Sequence, residues 1–262
     1  MKKLALAGLL FAFLPLAAIA QSSFDGTWKI DLKTAQLPMK PDVFLLQNGR
    51  YECKTCVPPI NVKADGQDQK ITGHPYYNSV SIKVVNDRTI EETDKKDGKV
   101  VGTSTTKVAP DGKTATSEFT DSSDTNSAPV TGKVVMTRVA AGPAGSSPIS
   151  GSWRTTKVDN LSENGLLLTL KVEGNSLSFS TPTGQSYTAK LDGTTAPYKG
   201  DPGTNSVSVK RIDKKTIEET DMRNGKPVSV VRMTVSADGK TMAFTIKNML
   251  SGNTTKATAN KQ

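Results

Sequence analysis

Both cysteines and the single histidine of the chain lie close together, Cys53 and Cys56 in YECKTC (51–56) and His74 in GHPYY (73–77). Three chemistries suit this set. Two thiols three positions apart in an exported chain form a small disulfide, which is the expected state. A thioredoxin-like redox pair is the second option, but it needs the first cysteine at a helix N-terminus, and Pro58 and Pro59 sit where such a helix would run. A metal held by Cys53, Cys56 and His74 is the third, although a closed zinc site takes four ligands. His74, between Gly73 and Pro75, reads by itself as a turn residue. The carboxylate pairs Glu91, Glu92 and Glu218, Glu219 are neighbours on strands, so their side chains point to opposite faces. They read as a sheet feature, paired across strands with Lys95, Lys99 or Lys107. No G-x-S-x-G elbow and no second histidine are present. A non-enzymatic protein without catalytic residues, metal or cofactor is the expectation.

The elements that carry these residues are set by a repeat. NSVSIKVVNDRTIEETD (78–94) returns as NSVSVKRIDKKTIEETD (205–221), and DGKT (111–114) returns at 238–241 with the same offset of 127. A unit of that length is a whole domain, longer than the units of solenoids or propellers. Val80, Ile82 and Val84 alternate with Ser79, Ser81 and Lys83, the period of a strand wetted on one face. Asn48-Gly49, Asp97-Gly98, Asn224-Gly225, Asp111-Gly112 and Asp238-Gly239 mark hairpins. The short spacings leave no room for crossover helices. The fold class is therefore all-β, two tandem antiparallel meanders. Under the 127 offset Cys53, Cys56, His74, Tyr76 and Tyr77 face Ser180, Thr183, Asp201, Gly203 and Thr204. Folding the second copy did not require the unusual side chains of the first.

Residues 1–20 read as a cleaved secretory signal, with Lys2 and Lys3 before an apolar run that ends Ala18-Ile19-Ala20. That run is shorter than the roughly 20 residues that span a bilayer. Residues 21–139 form the first domain, 140–148 (AAGPAGSSP) a linker, and 149–262 the duplicate. The chain carries +9, with 34 basic against 25 acidic residues, spread through strands and turns instead of gathered in a stripe. Such a distribution fits an exported, periplasmic or secreted protein with no nucleic-acid partner and no transmembrane segment after cleavage.

Each copy opens on G-x-W, Gly26-Thr27-Trp28 and Gly151-Ser152-Trp153. This resembles the start of the calycins, the lipocalin and fatty-acid-binding-protein superfamily. There the tryptophan closes one end of an up-and-down barrel and a basic residue of the last strand stacks over it. The resemblance implies Arg138 for Trp28 and Lys261 for Trp153, each closing its own copy. A plain core tryptophan in a β-sandwich is the other reading. The phrases YxCxxCxPP, VKADG and GHPYYNSV resemble those of uncharacterised exported bacterial proteins. Barrel mouths are common ligand sites, so domain one is expected to bind a small, partly apolar molecule with Phe44, Tyr51, Tyr76, Tyr77 and His74. The rivals are a structural or interaction module of the envelope and a Cys/His metal or thiol-redox protein.

Overall fold

The computed structural model describes residues 22–123 and 128–262. The expected signal at 1–20 and part of the Ser122 to Pro129 loop lie outside the described residues. The described residues form twenty strands and one short 3-10 turn (Glu163–Gly165). They run β1 (Gly26–Gln36), β2 (Asp42–Gln47), β3 (Arg50–Cys53), β4 (Ile60–Lys63), β5 (Gln69–Lys70), β6 (Ser79–Asn86), β7 (Thr89–Lys96), β8 (Lys99–Val108), β9 (Thr114–Asp121) and β10 (Val130–Ala141). The second half holds β11 (Gly151–Leu161), β12 (Leu167–Glu173), β13 (Ser176–Ser180), β14 (Ser186–Lys190), β15 (Asp192–Pro197), β16 (Ser206–Arg211), β17 (Thr216–Arg223), β18 (Lys226–Val235), β19 (Thr241–Asn248) and β20 (Thr254–Lys261). Among the described residues no helix is long and apolar enough to cross a membrane.

The strands make two ten-stranded antiparallel sheets, each curled into a nearly closed barrel. The turns follow from their residues. Asn48-Gly49, Asp97-Gly98 and Asn224-Gly225 all have positive φ at both positions, the two-residue hairpin geometry that matches strand twist. The repeated asparagine of the NSV phrase holds the next turn. Asn78 donates to Asp97 Oδ1 at 2.7 Å and accepts from the Asp97 N–H at 3.0 Å, and Asn205 repeats this with Asn224. Near the gap in the first barrel, the Gly66 N–H donates to the Ile82 carbonyl, and Ser81 donates to that of Gly66. In the second, Ser186 and Lys199 form a bridge.

The strand order departs from two barrels laid end to end. One sheet runs β4-β3-β2-β11-β10-β9-β8-β7-β6-β5, and the other β14-β13-β12-β1-β20-β19-β18-β17-β16-β15. The opening strand of the second repeat, β11, thus lies in the first barrel between β10 and β2, and β1 lies in the second between β12 and β20. Residues 140–148 do not separate two bodies; they belong to the end and loop of the β10–β11 hairpin. The first barrel is one continuous segment from β2 to β11. The second is discontinuous, β1 joined to everything after β11.

The closing contact has the expected chemistry with the partners crossed. Arg138 lies over Trp153, 4.0 Å from the ring centroid, and Lys261 over Trp28 at 5.0 Å, each directly opposite its tryptophan on the neighbouring strand. Arg138 also donates to the carbonyls of Gly112, Ser150 and Pro148. Trp28 donates from Nε1 to the Phe24 carbonyl at 2.8 Å and Trp153 to that of Ile149 at 2.9 Å. The glycine of G-x-W serves this contact. Its φ is +130° at Gly26 and +134° at Gly151, and a Cβ on Gly151 would stand 2.4 Å from the Ala140 carbonyl and 2.7 Å from the Arg138 guanidinium.

A fragment spanning residues 42–161 holds every strand of the first barrel and is expected to unfold cooperatively by itself. The fragment 22–139, a whole first repeat by sequence, lacks β11 and is expected to stay uncooperative; circular dichroism during urea titration distinguishes them. In the full chain Arg138→Ala removes the cation and strands three carbonyls, lowering stability by about 2–4 kcal/mol.

Candidate functional site

Residues opposite each other on antiparallel strands share a face, so the barrel interior can be read layer by layer. In the first barrel one inward layer runs Ile82, Glu92, Ser104, Phe119 and Gly132 from β6 to β10. The layer toward the rim runs Val80, Asp94, Gly102 and Asp121, and the deeper one Ile90, Thr106 and Ser117. Glu92 and Asp94 therefore point into the barrel from β7, while Glu91 points out and pairs with Lys83 at 2.9 Å. This corrects the expected partners of the glutamates. Lys95 pairs with Asp68, and the outward Glu218 of the second copy with Arg232.

The second copy has the same inward acids in different company. Its layers run Val209, Glu219, Val231, Ile246 and Ile217, Met233, Phe244. Under the 127 offset Thr106 corresponds to Met233, Ser117 to Phe244, Ala115 to Met242 and Ser104 to Val231. Met233, Met242 and Phe244 are buried in a continuous apolar core. The small counterparts in the first barrel leave a cavity of about 270 Å³. Its walls include Asp42, Phe44, Tyr51, the Cys53–Cys56 pair, Glu92, Thr106, Ser117, Met136 and Trp153. Met136, opposite Ala115, recovers some of the lost volume, since Ala259 stands opposite Met242 in the second barrel.

The strand exchange shapes this wall. Trp153 and Thr155 line the cavity from β11, a strand of the second repeat. Ile30, at the position matching Thr155 after the tryptophan, packs against the other core.

The expected site residues divide into three groups. Phe44 and Tyr51 line the cavity, stacked with centroids 6.1 Å apart. Tyr76 and Tyr77 line a separate pocket of about 380 Å³ at the rim with Asp94, Gly102, Phe119 and Asp121. Ser104 borders both spaces. Tyr76 also abuts the second barrel, since a Cβ on Gly203 would stand 2.2 Å from its hydroxyl. His74 lines neither space and stacks on Tyr77 at 5.1 Å. Cys53 and Cys56 are joined as a disulfide, so neither thiol is free for redox chemistry or for a metal in this state. Among the described residues no group of three His, Cys, Asp or Glu side chains is placed to hold a metal ion.

Burial without compensating charge governs the acids. Glu92 is held by desolvation, then by Asp94, at a pKa of about 8, and it lines the cavity. Asp94 is raised to about 7 by desolvation and by Asp121, and its Oδ1 is buried without a hydrogen-bond partner. Desolvation, Asp94 and Glu92 also push the Tyr77 hydroxyl far up. In the second barrel Glu219 is raised by burial and by Asp221, and it hydrogen-bonds both Asp221 and the Tyr187 hydroxyl. Ile60 stands in the first barrel where Tyr187 stands in the second. Among the described residues no group hydrogen-bonds the Glu92 carboxyl.

Sequence reasoning missed Glu92, Asp94 and the Thr106, Ser117 pair. The signal was present as an acid at i and i+2 in TIEETD, on the face that the register gives to Ile82.

An acid with a folded pKa of about 8 against an ordinary value near 4.3 keeps its proton longer in the native state. Between about pH 4.3 and 8 the native state binds more protons, so stability falls as pH rises. The urea midpoint should drop from pH 5 to pH 8.5. E92Q should reduce that drop, and E92Q/E219Q should reduce it further; equal slopes in all three proteins would contradict the assignment. Compared with known proteins, the chain matches no protein-family model and no curated protein.

Proposed function

We propose that this is an exported, non-enzymatic binding protein of calycin-like design, whose first barrel takes a small, partly apolar molecule while the second is a solid partner. The observation that carries the reading is the paired difference in filling. The same layers hold Met233, Met242 and Phe244 in one copy and Thr106, Ala115 and Ser117 in the other, where the cavity of about 270 Å³ lies. An unfilled interior costs stability, roughly 24 cal/mol per Å³ in a well-studied core. A space of this size beside a filled duplicate fits a retained use. Apolar cavities near 150 Å³ accept benzene, so this one has room for a ring system with a short substituent. The aromatic faces of Phe44, Tyr51 and Trp153 suit such a body.

The signal-like N-terminus and the Cys53–Cys56 disulfide support export to an oxidising compartment. A second reading, an interaction module of the envelope, draws on exposed Met39, Met249 and Leu250. Lys40 donates to the Ser251 carbonyl, which brings Met39 near the other two.

Indole should bind the full chain with one site and a Kd of about 1 mM or tighter. T106M/S117F, which installs the residues of the second copy, should lose it while remaining folded. Calorimetry with both proteins tests this. No binding to the parent chain, or equal binding to the filled variant, would remove the cavity from the account.

A further inference from the structure

Glu219 and Glu92 occupy equivalent positions in the two barrels, and their surroundings differ in one way that points to a ligand. In the second barrel Tyr187 hydrogen-bonds Glu219, and Asp221 also bonds to it. In the first barrel Ile60 replaces the tyrosine, and Glu92 lines the cavity with no hydrogen bond to any group among the described residues. The neighbours opposite it across the ladder are Ile82 and Ser104. Glu92 is half-buried on the cavity wall, so its carboxyl is open to a donor that a ligand would bring. The duplicate shows that this position accommodates a satisfied acid when the adjacent tyrosine is present.

The charge of the cavity narrows the chemistry. Asp42 and Glu92 line it, and among the described residues no lysine, arginine or histidine does. The titratable groups around Glu92 are Asp94 on its own strand, Tyr51 from β3, Asp42 from β2 and Tyr77 from the segment before β6. All become anionic when they ionise. An anionic ligand would meet two carboxyls on the wall, with the Arg138 guanidinium set behind the Trp153 ring. Asp42 already accepts from the Thr55 hydroxyl at 3.2 Å, which leaves Glu92 as the acceptor in want of a donor. Aromatic rings at Phe44 and Tyr51 add π faces that favour a cation, while Trp153 already carries Arg138 on its ring.

We propose that the first barrel binds small apolar amines, the ammonium group donating to Glu92 and the apolar body lying against Phe44, Tyr51 and Trp153. This rests on the cavity being a ligand site, and the test separates the two claims. A neutral-pH solution presents the amine as ammonium, and Glu92, with its pKa of about 8, is mostly protonated. Binding the cation then expels the Glu92 proton to solvent, forming an ammonium–carboxylate pair. Affinity should therefore rise with pH, approaching tenfold per unit below about pH 8, and level off once the carboxyl is ionised.

The probes are tryptamine, tryptophol and indole-3-propionate, which share one ring system and differ in the terminal group. Calorimetry on the full disulfide-bonded chain at pH 8 should show tryptamine bound at least tenfold more tightly than tryptophol, with indole-3-propionate weakest. At pH 7 tryptamine binding should release close to one proton, read from buffers of different ionisation enthalpy. E92Q should bring tryptamine and tryptophol to equal affinity, and E219Q should leave the preference intact. Equal binding of tryptamine and tryptophol by the parent chain, with both lost in T106M/S117F, would overturn the amine assignment and leave the cavity reading standing. Preference for indole-3-propionate, or an amine preference that survives E92Q, would likewise overturn it. Failure of all three probes to bind the parent chain would overturn both claims.

Discussion

The stacking of a cation on an indole, between the strand that opens a barrel and the strand that closes it, is the contact on which this architecture depends. Arg138 over Trp153 and Lys261 over Trp28 each tie two strands at the barrel end. The arginine does so most tightly, because its guanidinium also satisfies three backbone carbonyls. The identity of the strands follows from chain connectivity. β11 leaves β10 through a short loop and folds straight back as an antiparallel hairpin, a local pairing with a small loop-closure cost. That places Trp153 beneath Arg138 and fills the position a first strand would take. β1 then pairs where a position remains, between β12 and β20, at large sequence separation and correspondingly slower closure.

The same connectivity determines what lines the first barrel. Because β11 supplies the wall, Trp153 and Thr155 face the cavity, and Ile30 goes to the other core. A hydroxyl-bearing side chain thus stands where the opposite arrangement would have put an isoleucine. Together with Thr106 and Ser117 in the deep layer, this makes the first interior roomy and partly polar. Met233, Met242 and Phe244 make the second an ordinary packed core. Duplication gave two copies of one meander, and side-chain size on the inner face now separates a hollow barrel from a solid one.

Much of this was legible in the residues. The repeat, the Asn-Gly and Asp-Gly turns, the all-β class and the bonded cysteines follow from spacing and turn chemistry that hold locally. G-x-W announced the closing contact, yet it could not say which tryptophan meets which cation. Both copies carry the same motif, so local chemistry is identical for either pairing, and only the geometry of the 142–150 loop decides. Glu92 and Asp94 were hidden differently. TIEETD has polar residues on both faces, and its inner face becomes evident only when β6 is laid beside it and Ile82 falls opposite Glu92. Differences such as Thr106 against Met233 involve common residue types. They gain meaning only when strand direction shows that both point inward. Conversely, His74 and Tyr76 stood out chemically but do not line the cavity, Tyr76 standing at the rim against Gly203 and His74 on Tyr77.

Cystine mapping tests the exchange of strands most directly, because it reports which neighbour the first strand has in solution. Thr27 and Thr169 face each other across β1 and β12, their hydroxyl oxygens 3.0 Å apart. Val43 pairs with Ser152 and not with Thr27. Oxidised T27C/T169C should show a 27–169 cross-link by peptide mass spectrometry, with the Cys53–Cys56 bond retained, and T27C/V43C should show no 27–43 cross-link. A 27–43 cross-link without a 27–169 one would place β1 in the first barrel. The wall assigned to Trp153 and Thr155 would then belong to Trp28 and Ile30.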